Sequence, residues 1–148
     1  MSKKATSGSN AIIRMLVGAQ KATPSPPIGP ALGQRGVKSM DFCKQFNERT
    51  KKIQPGTPTP TLITVRPDRT FSFVTKTPPT SWLLKRAAGI EKGAQKPGSE
   101  VVGELSLKHI YEIALIKQQD LHLQHISLEN LCKTVIGSAK SVGINVVP

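Results

Sequence analysis

The stretch from residue 24 to residue 36 constrains the fold more than any other part of the chain. Its sequence, PSPPIGPALGQRG, places four prolines and three glycines in thirteen positions. Proline fixes φ and lacks a backbone donor, so this stretch cannot form a regular helix or a central strand. We expect a rigid loop here, with regular elements before and after it.

The segments on either side of this loop carry patterns of regular structure. Residues 12–17, with the sequence IIRMLV, form a short apolar run that predicts a first strand. Beyond the loop, apolar residues recur every three positions over 37–49, which predicts a helix with one packed face. The apolar residues of this helix are Val37, Met40, Cys43 and Phe46.

Two β-rich runs follow a loop of prolines and threonines at 54–60. LITV at 62–65 and TFSFV at 70–74 are joined by a Pro-Asp pair suited to a tight turn, so they predict a hairpin. Together with the first strand the hairpin makes a three-stranded sheet, and we expect the helix to cover one face of it.

The sequence TKTPP at 75–79 predicts a stiff hinge, because two consecutive prolines interrupt regular structure. Beyond it strand patterns are absent and helical patterns dominate, with Ser106 and Ser127 as expected N-caps. The predicted helices cover about 80–88, 106–118 and 127–141.

The predicted fold class is α+β, with two small domains. Residues 1–74 are expected to form a two-layer α/β domain with a three-stranded sheet. After the hinge, residues 80–148 are expected to form a helical bundle of three main helices. Domains of this size bury only a limited fraction of their surface, so a binding partner is expected to add stability.

The charge balance favours a polyanionic partner. Lys and Arg number 21 against 9 Asp and Glu, giving a net charge of +12 and a sequence pI near 10.1. Aromatic residues make up only 4% of the chain, which excludes base-stacking platforms and favours contact through phosphates, backbone and shape. No apolar run approaches the ~20 residues that span a bilayer, so we expect a soluble protein without a membrane partner.

Neither the cysteines nor the histidines predict a metal site. Cys43 and Cys132 are far apart and outside any C-x-x-C pattern, so a disulfide framework and a zinc knuckle are both unsupported. We expect both to be buried as small apolar side chains. His122 and His125 have no second ligand pair near them and are expected on the surface. We predict no metal and no cofactor.

The last predicted helix separates into two faces when wound at about 100° per residue. Gly137 lies on the polar face, and a glycine inside a helix costs about 1 kcal/mol relative to alanine. We infer that another backbone, phosphate or ribose approaches closely there; a solvated face with an incidental glycine is the alternative. The polar residues are Lys133, Gly137, Lys140 and Ser141, and the apolar residues are Leu128, Leu131, Cys132, Val135, Ala139 and Val142.

The long polar loop at 89–103 is a second candidate surface. It carries Lys92 and Lys96 on a glycine-rich backbone whose amides can point at an anion. A mobile surface loop without a partner is the alternative.

One segment has the context of an enzyme motif, where a strand and a Gly-rich stretch precede a helix near Lys38 and Ser39. The P-loop pattern fails because Leu32 and Val37 occupy its glycine positions, and the prolines remove amide donors. Acidic residues are few and scattered, so we predict a protein that is not an enzyme. A small NTPase that depends on Lys38 or Ser39 and a helical DNA-binding protein are the rival hypotheses.

Five motifs in sequence order resemble those of one known family. They are PSPPIGPALGQRGV at 24–37, MDFCKQFNERT at 40–50, DRTFSFVTKTPP at 68–79, LLKRAAGIEKGAQKPG at 83–98 and GSAKSVG at 137–143. The family is that of large-subunit ribosomal protein eleven, in its bacterial and mitochondrial branch. The resemblance covers about residues 12–147, and five motifs in the right order are far more specific than one short pattern.

The resemblance implies a structural constituent of the large ribosomal subunit at the stalk base. The C-terminal domain is expected to bind the GTPase-centre fold of large-subunit rRNA, and the proline segment to face translational GTPases. Stalk proteins and other ribosomal proteins are further expected partners. The expected rRNA-binding residues are Lys92, Gly93, Lys96, Pro97, Lys133, Gly137, Ser138, Lys140, Ser141 and Gly143. The residues expected to face factors and thiazole antibiotics are Pro24, Pro26, Pro27, Gly29 and Pro30; a merely rigid loop is the alternative.

Net charge alone would assign rRNA binding to the N-terminal domain. Residues 1–75 carry 12 basic and 3 acidic residues, whereas residues 76–148 carry 9 and 6. We base the assignment on the helix face and the resemblance, and expect the N-terminal charge to meet other rRNA or neighbouring proteins.

The predicted location is the mitochondrial ribosome. The first acidic residue is Asp41 and six basic residues precede it, a bias similar to that of imported chains. The first strand and the proline loop account for most of this span, so only the first ten or so residues are available for targeting. A bacterial cytoplasm is the alternative.

Overall fold

The computed structural model describes residues 10–148, so the expected targeting segment lies almost wholly outside the described residues. The chain divides into two compact units, one ending at Lys76 and the other running from Thr77 to Pro148. Each unit packs around its own hydrophobic core. The described residues form five helices and two sheets, in agreement with the predicted α+β class and with two domains.

The described part of the first unit is a three-stranded antiparallel sheet with two helices. β2 is the central strand and pairs with β1 on one side and with β3 on the other. The elements in chain order are β1 (Ala11–Gly18), α1 (Ile28–Gly33), α2 (Ser39–Arg49), β2 (Pro58–Val65) and β3 (Phe71–Thr75).

β2 begins before the predicted strand, which corrects the assignment of 54–60 wholly to a loop. Pro58 and Pro60 therefore lie in a central strand, where a missing amide normally breaks the ladder. The carbonyl of Pro60 accepts a hydrogen bond from the Lys76 amide (2.8 Å), one residue beyond the end of β3. The N–H and C=O of a strand residue point to the same side of the strand. The nitrogens of Pro58 and Pro60 therefore face the β3 side of β2, beyond Thr75, the last residue of β3. Residues 61–65 of β2, which pair with β3, include no proline and keep their amide donors.

The core of the first unit lies between α2 and one face of the sheet. Phe42, Cys43 and Phe46 are buried, and Phe42 meets Phe73 of β3 edge-on with ring centroids 5.3 Å apart. Met40, which the sequence placed on the packed face, is instead 54% exposed. A helix repeats every 3.6 residues, so a three-residue spacing drifts around its surface and carries Met40 away from the core.

α1 corrects the prediction that the proline stretch contains no regular helix. Ile28 and Leu32 lie four residues apart, are buried, and anchor this short helix to the core. Pro30 is its third residue, and the first-turn amides of a helix have no intrahelical acceptors, so proline costs no helical hydrogen bond there. The stretch is a short helix preceded by a proline-rich turn.

The second unit contains three main helices together with a parallel strand pair that the sequence did not predict. Leu105 of one strand lies opposite Val146 of the other. Each strand has four residues, too few to show an alternating pattern, and the prediction of a purely helical bundle is corrected. The elements are α3 (Thr80–Ala87), β4 (Gly103–Ser106), α4 (Leu107–Gln118), α5 (Leu128–Val142) and β5 (Ile144–Val147).

Ser106 and Ser127 occupy the predicted N-cap positions of α4 and α5 with extended backbones. Neither hydroxyl bonds to an amide of its helix. The Ser106 hydroxyl instead lies 2.8 Å from Nδ1 of His109. The helix starts were predicted correctly, but their expected capping bonds are not formed.

Of the cysteines, Cys43 is buried and burial raises the pKa of its thiol, whereas Cys132 is only half-buried. His122 and His125 are exposed. Within residues 10–148, no three His, Cys, Asp or Glu side chains form a group able to hold a metal ion. Over the same residues, every helix is too short or too polar to cross a membrane.

A buried carboxylate fixes the first residues of the second unit. Asp120 accepts hydrogen bonds from the Thr77 amide (2.8 Å), the Thr77 hydroxyl (2.7 Å) and the Lys117 ammonium group (3.0 Å). Its side chain is 4% exposed. Burial alone would raise the pKa of Asp120, but the bonds from Thr77 and Lys117 outweigh burial and hold the pKa below its usual value. The start of the unit is thereby tied to the end of α4.

Asp120→Asn should lower the free energy of unfolding of the second unit at pH 7 by about 1–3 kcal/mol, because it removes the charge that Thr77 and Lys117 bind. Since folding lowers the pKa of Asp120, the stabilisation is present above about pH 4 and is lost as the pH falls through the folded pKa. The variant should lack this part of the pH dependence. Urea unfolding followed by the fluorescence of Trp82, the single tryptophan, measures both effects. Equal unfolding midpoints of the wild-type protein and the variant at pH 7 would show that the Asp120 carboxylate does not stabilise the second unit.

Candidate nucleic-acid interface

α5 separates into a packed face and an exposed polar face, as its sequence predicted. Leu131, Val135 and Ala139 are buried in the core of the second unit. The rest of the apolar stripe, Leu128, Cys132 and Val142, is half-buried. The opposite side, called here the outer face of α5, consists of the exposed residues Lys133, Gly137, Lys140 and Ser141 with the half-buried Ser138 between them.

Gly137 leaves open space on the outer face. A Cβ atom built at this position would have no neighbour within 4 Å beyond its own helix. The packing of the protein therefore does not require glycine, although glycine destabilises a helix by about 1 kcal/mol relative to alanine. The residue fits a surface that another backbone approaches closely.

Three hydroxyls along α5 are bonded to the helix itself. Ser141 donates to the Ser138 carbonyl (2.7 Å), Ser138 to the Thr134 carbonyl (3.1 Å), and Thr134 to the Asn130 carbonyl (2.8 Å). Each hydroxyl oxygen retains acceptor capacity, which suits a donor such as a ribose 2′-hydroxyl. Asn130 and Thr134 are exposed and were not predicted as part of this surface. Their i, i+4, i+8 spacing with Ser138 indicates that the three residues lie in one row along the helix.

The lysines of the outer face are available to an external anion. Lys133 pairs with Glu129 at 2.7 Å, but the two side chains are 68% and 78% exposed, and such pairs contribute little to stability. A phosphate oxygen can replace the Glu129 carboxylate at small cost. Lys140 is exposed and forms no ion pair with any described residue.

The loop at 89–103 is anchored to the C-terminal end of α5. The Ala94 amide donates to the Val142 carbonyl and the Val102 amide to the Gly143 carbonyl, both at 2.8 Å. Loop residues Gly98 and Glu100 share a cleft of about 280 Å³ with Lys140 of the outer face. The two surfaces singled out from the sequence thus adjoin each other.

Two glycines allow this close packing. Gly143 ends α5 in the left-handed conformation, with φ 86°, and is buried. A side chain there would overlap Ala94 of the loop, and a Cβ at Gly93 would lie 3.1 Å from the Val142 carbonyl. The contacts of Gly93 and Gly143 with rRNA stay predictions, and within the protein both residues let the loop pack on the helix end.

The loop amides expected to face an anion are occupied within the chain. The Glu100 carboxylate accepts hydrogen bonds from the amides of Gln95 (3.1 Å) and Lys96 (3.4 Å). The arrangement does bind an anion, but the anion is the chain's own. Lys92, Lys96 and Pro97 are exposed, so the loop offers its lysine side chains to an external phosphate.

The predicted factor-facing residues form an exposed surface around α1. Beneath it, the buried Ile28 and Leu32 hold the helix, and Gly29 passes so close to the Pro24 carbonyl that a Cβ would overlap it. The surface is therefore fixed from below. Pro24, Pro26, Pro27 and Pro30 are exposed, and Gly29 is half-buried.

Comparison with known proteins identifies the family. The model of the ribosomal protein L11 N-terminal domain matches residues 13–71, and that of the ribosomal protein L11 RNA binding domain matches residues 76–146. Large ribosomal subunit protein uL11m of Schizosaccharomyces pombe is 59% identical over 137 residues, covering 93% of this chain and 95% of that protein. The protein of the same name from Caenorhabditis elegans is 48% identical over 136 residues, covering 92% of this chain and 69% of that protein. The chain belongs to the ribosomal protein L11 family.

Membership of the ribosomal protein L11 family confirms the broad functional predictions. The protein is a structural constituent of the large ribosomal subunit with an RNA-binding domain, and it is not an enzyme. Family membership therefore argues against the small-NTPase and DNA-binding hypotheses. The predicted mitochondrial location is confirmed by the mitochondrial name of both relatives. The RNA-binding model spans the loop and all of α5, and so includes both candidate surfaces.

Proposed function

We propose that this L11 protein binds the GTPase-centre rRNA at the stalk base of the mitochondrial large subunit and supports the action of translational GTPases. In this proposal the C-terminal domain, 80–148, clamps the rRNA, the N-terminal domain, 1–74, faces the factors, and 75–79 is the hinge. Stalk proteins and other ribosomal proteins are its neighbours. The rRNA assignment is supported by the outer face of α5, where Gly137 leaves open space. The lysine-bearing loop at 89–103 is bonded to the end of the same helix.

Recognition at this surface rests on close approach and on hydrogen-bond acceptors. The outer face of α5 and the loop at 89–103 contain no aromatic residue, so bases cannot stack on them. A ribose-phosphate backbone can instead lie over Gly137, with Ser138 and Ser141 as acceptors and with Lys133 and Lys140 beside phosphates. Such a surface recognises the shape of folded RNA more than its base sequence.

The charge of the first unit supports binding in a different way. Unpaired positive charge attracts rRNA at long range and raises affinity without choosing a site, and this contribution weakens with salt. The second unit has less net charge, so its affinity must depend more on fit. We infer that rRNA selects the second unit by shape, while the first unit adds salt-sensitive attraction.

Gly137→Val should weaken binding to an RNA that carries the GTPase-centre fold by at least about fivefold, which is about 1 kcal/mol. The branched side chain would fill the gap that a nucleic-acid backbone needs. A Cβ at this position meets no protein atom within 4 Å beyond its own helix, so the fold should be retained. Filter binding with the full chain measures the loss.

Gly33→Val is the matched control, because a Cβ at position 33 also meets no atom within 4 Å and also lies in a helix. Its rRNA affinity should equal that of the wild-type protein. Unchanged affinity of the Gly137 variant, or an equal loss in both variants, would contradict the proposed role of Gly137.

The proline surface around α1 is proposed to act on factors and to leave rRNA affinity unchanged. Prolines supply no amide donors for phosphate, but they hold a surface in a defined shape before a protein partner arrives. The anchoring of α1 by Ile28 and Leu32 supports such a pre-formed surface. Thiazole antibiotics are proposed to bind against the same prolines.

Pro26→Ser should reduce factor-stimulated GTP hydrolysis on reconstituted large subunits several-fold while rRNA affinity stays within about twofold of wild type, since only the shape of the surface is relaxed. Pro55→Ser, which changes an exposed proline of the same unit outside the segment, is the control and should change neither quantity. Loss of rRNA binding with normal GTP hydrolysis in the Pro26 variant would refute this division of roles.

A further inference from the structure

The sheet of the first unit has one face that its own helices do not cover. α2 packs on the opposite face, whereas Ile12 is 58% exposed, Leu16 57% and Val74 47%. Large aliphatic side chains are costly to leave in water when they are grouped together. This uncovered face is called the outer sheet face.

The strand register fixes which residues of the outer sheet face are neighbours. They form three rows that cross the sheet from β1 through β2 to β3. The third row ends at Lys76, which follows β3 and bonds through its amide to Pro60. The rows are Ile12–Thr64–Ser72, Arg14–Leu62–Val74 and Leu16–Pro60–Lys76.

The composition of these rows is apolar and positive. Five of the nine residues are aliphatic, and the two charged ones, Arg14 and Lys76, are both cations. The sequences of β1, β2 and β3 contain no Asp or Glu. Neither cation has an ion-pair partner among residues 10–148. Both cations line a shallow groove of about 570 Å³ together with Leu16, Pro60 and Leu62.

The dimensions of the face suit one helix. Strands lie about 4.8 Å apart and alternate residues of a strand about 6.8 Å apart, so three rows measure about 10 Å by 14 Å. A helix with its side chains is about 10 Å wide, and its residues i and i+7 are about 10.5 Å apart along its axis. Arg14 and Lys76 lie two strands and one row apart, which gives a diagonal of about 12 Å on the same spacings. Two carboxylates two turns apart on a helix can therefore reach both cations.

Other occupants fit these residues less well. RNA would satisfy Arg14 and Lys76 but would leave the five aliphatic residues against a charged backbone. A second copy of this chain would bring the same cations towards each other. The first nine residues contain two lysines and no acidic residue, so their charge has the wrong sign. Charge complementarity favours a partner that is both acidic and apolar.

We propose that the outer sheet face binds an amphipathic helix of another protein, with aliphatic residues against Leu16, Leu62 and Val74 and carboxylates about two turns apart on Arg14 and Lys76. The apolar contacts supply the affinity, and the two ion pairs fix the direction of the helix. This site belongs to the first unit, and the proposal does not depend on the rRNA surface of α5.

The first test uses designed helical peptides of about 15 residues, long enough to form a helix on binding. One peptide carries Glu at i and i+7 with Leu at i+3 and i+4, and a second replaces both Glu with Lys. Fluorescence anisotropy with the full chain should show at least tenfold tighter binding of the acidic peptide. The double variant Arg14→Glu, Lys76→Glu should reverse this preference.

Two further variants distinguish binding at the outer sheet face from attraction by the overall positive charge of the protein. Lys44→Glu, Lys52→Glu makes the same charge change at exposed positions outside the face and should leave the preference for the acidic peptide intact. Leu16→Ser changes an exposed side chain and should leave the protein folded. It should lower the affinity for both peptides at least threefold. Equal binding of the two peptides, loss of preference in the control, or full affinity in Leu16→Ser would overturn the proposal.

The second test uses mitochondrial large subunits that carry a photo-crosslinking residue at position 74. The expected product joins this chain to a helical segment of another ribosomal protein or stalk protein, with aliphatic residues and at least two carboxylates. Crosslinks to rRNA alone, to a second copy of this chain, or to a basic segment would each refute the proposed partner.

Discussion

The packing of the loop at 89–103 on the end of α5 is the contact on which the proposed rRNA surface depends. It requires Gly143 in the left-handed conformation, because any side chain there would meet Ala94. Two backbone hydrogen bonds from Ala94 and Val102 then hold the loop beside Lys140. Without this junction the lysines of the loop and the outer face of α5 would be two unrelated surfaces. With it they form one edge of the second unit.

In the first unit, buried residues likewise hold an exposed surface in position. The surface prolines fix the local backbone shape, and the buried Ile28 and Leu32 attach their short helix to the core. On the far side of the sheet, strand pairing alone sets the positions of Arg14 and Lys76. On each of the three candidate surfaces, the displayed residues lie in a helix or strand or in a segment bonded or packed to one, which lowers the entropy lost on binding.

The sequence predicted the elements whose residues repeat locally. The two faces of α5 follow from its 3.6-residue period, and their burial agrees with the prediction. The strands β4 and β5 are too short to show a period, and α1 was missed because a proline at its third position resembles a helix breaker. Pro58 and Pro60 fit a central strand only because β3 ends beside them. The packing of Gly143 against Ala94 joins residues 49 positions apart and has no local sequence signal.

We propose that folded rRNA is recognised by the second unit although the first carries more net charge. Amide chemical-shift mapping of the isotope-labelled full chain, titrated with an RNA bearing the GTPase-centre fold, shows which unit contacts the RNA. At about 0.15 M salt, screening suppresses long-range attraction to the first unit. We predict that shifts appear together in 89–103 and along the outer face of α5. Shifts confined to residues 10–76, with α5 unchanged, would show that the first unit and not the second recognises folded rRNA.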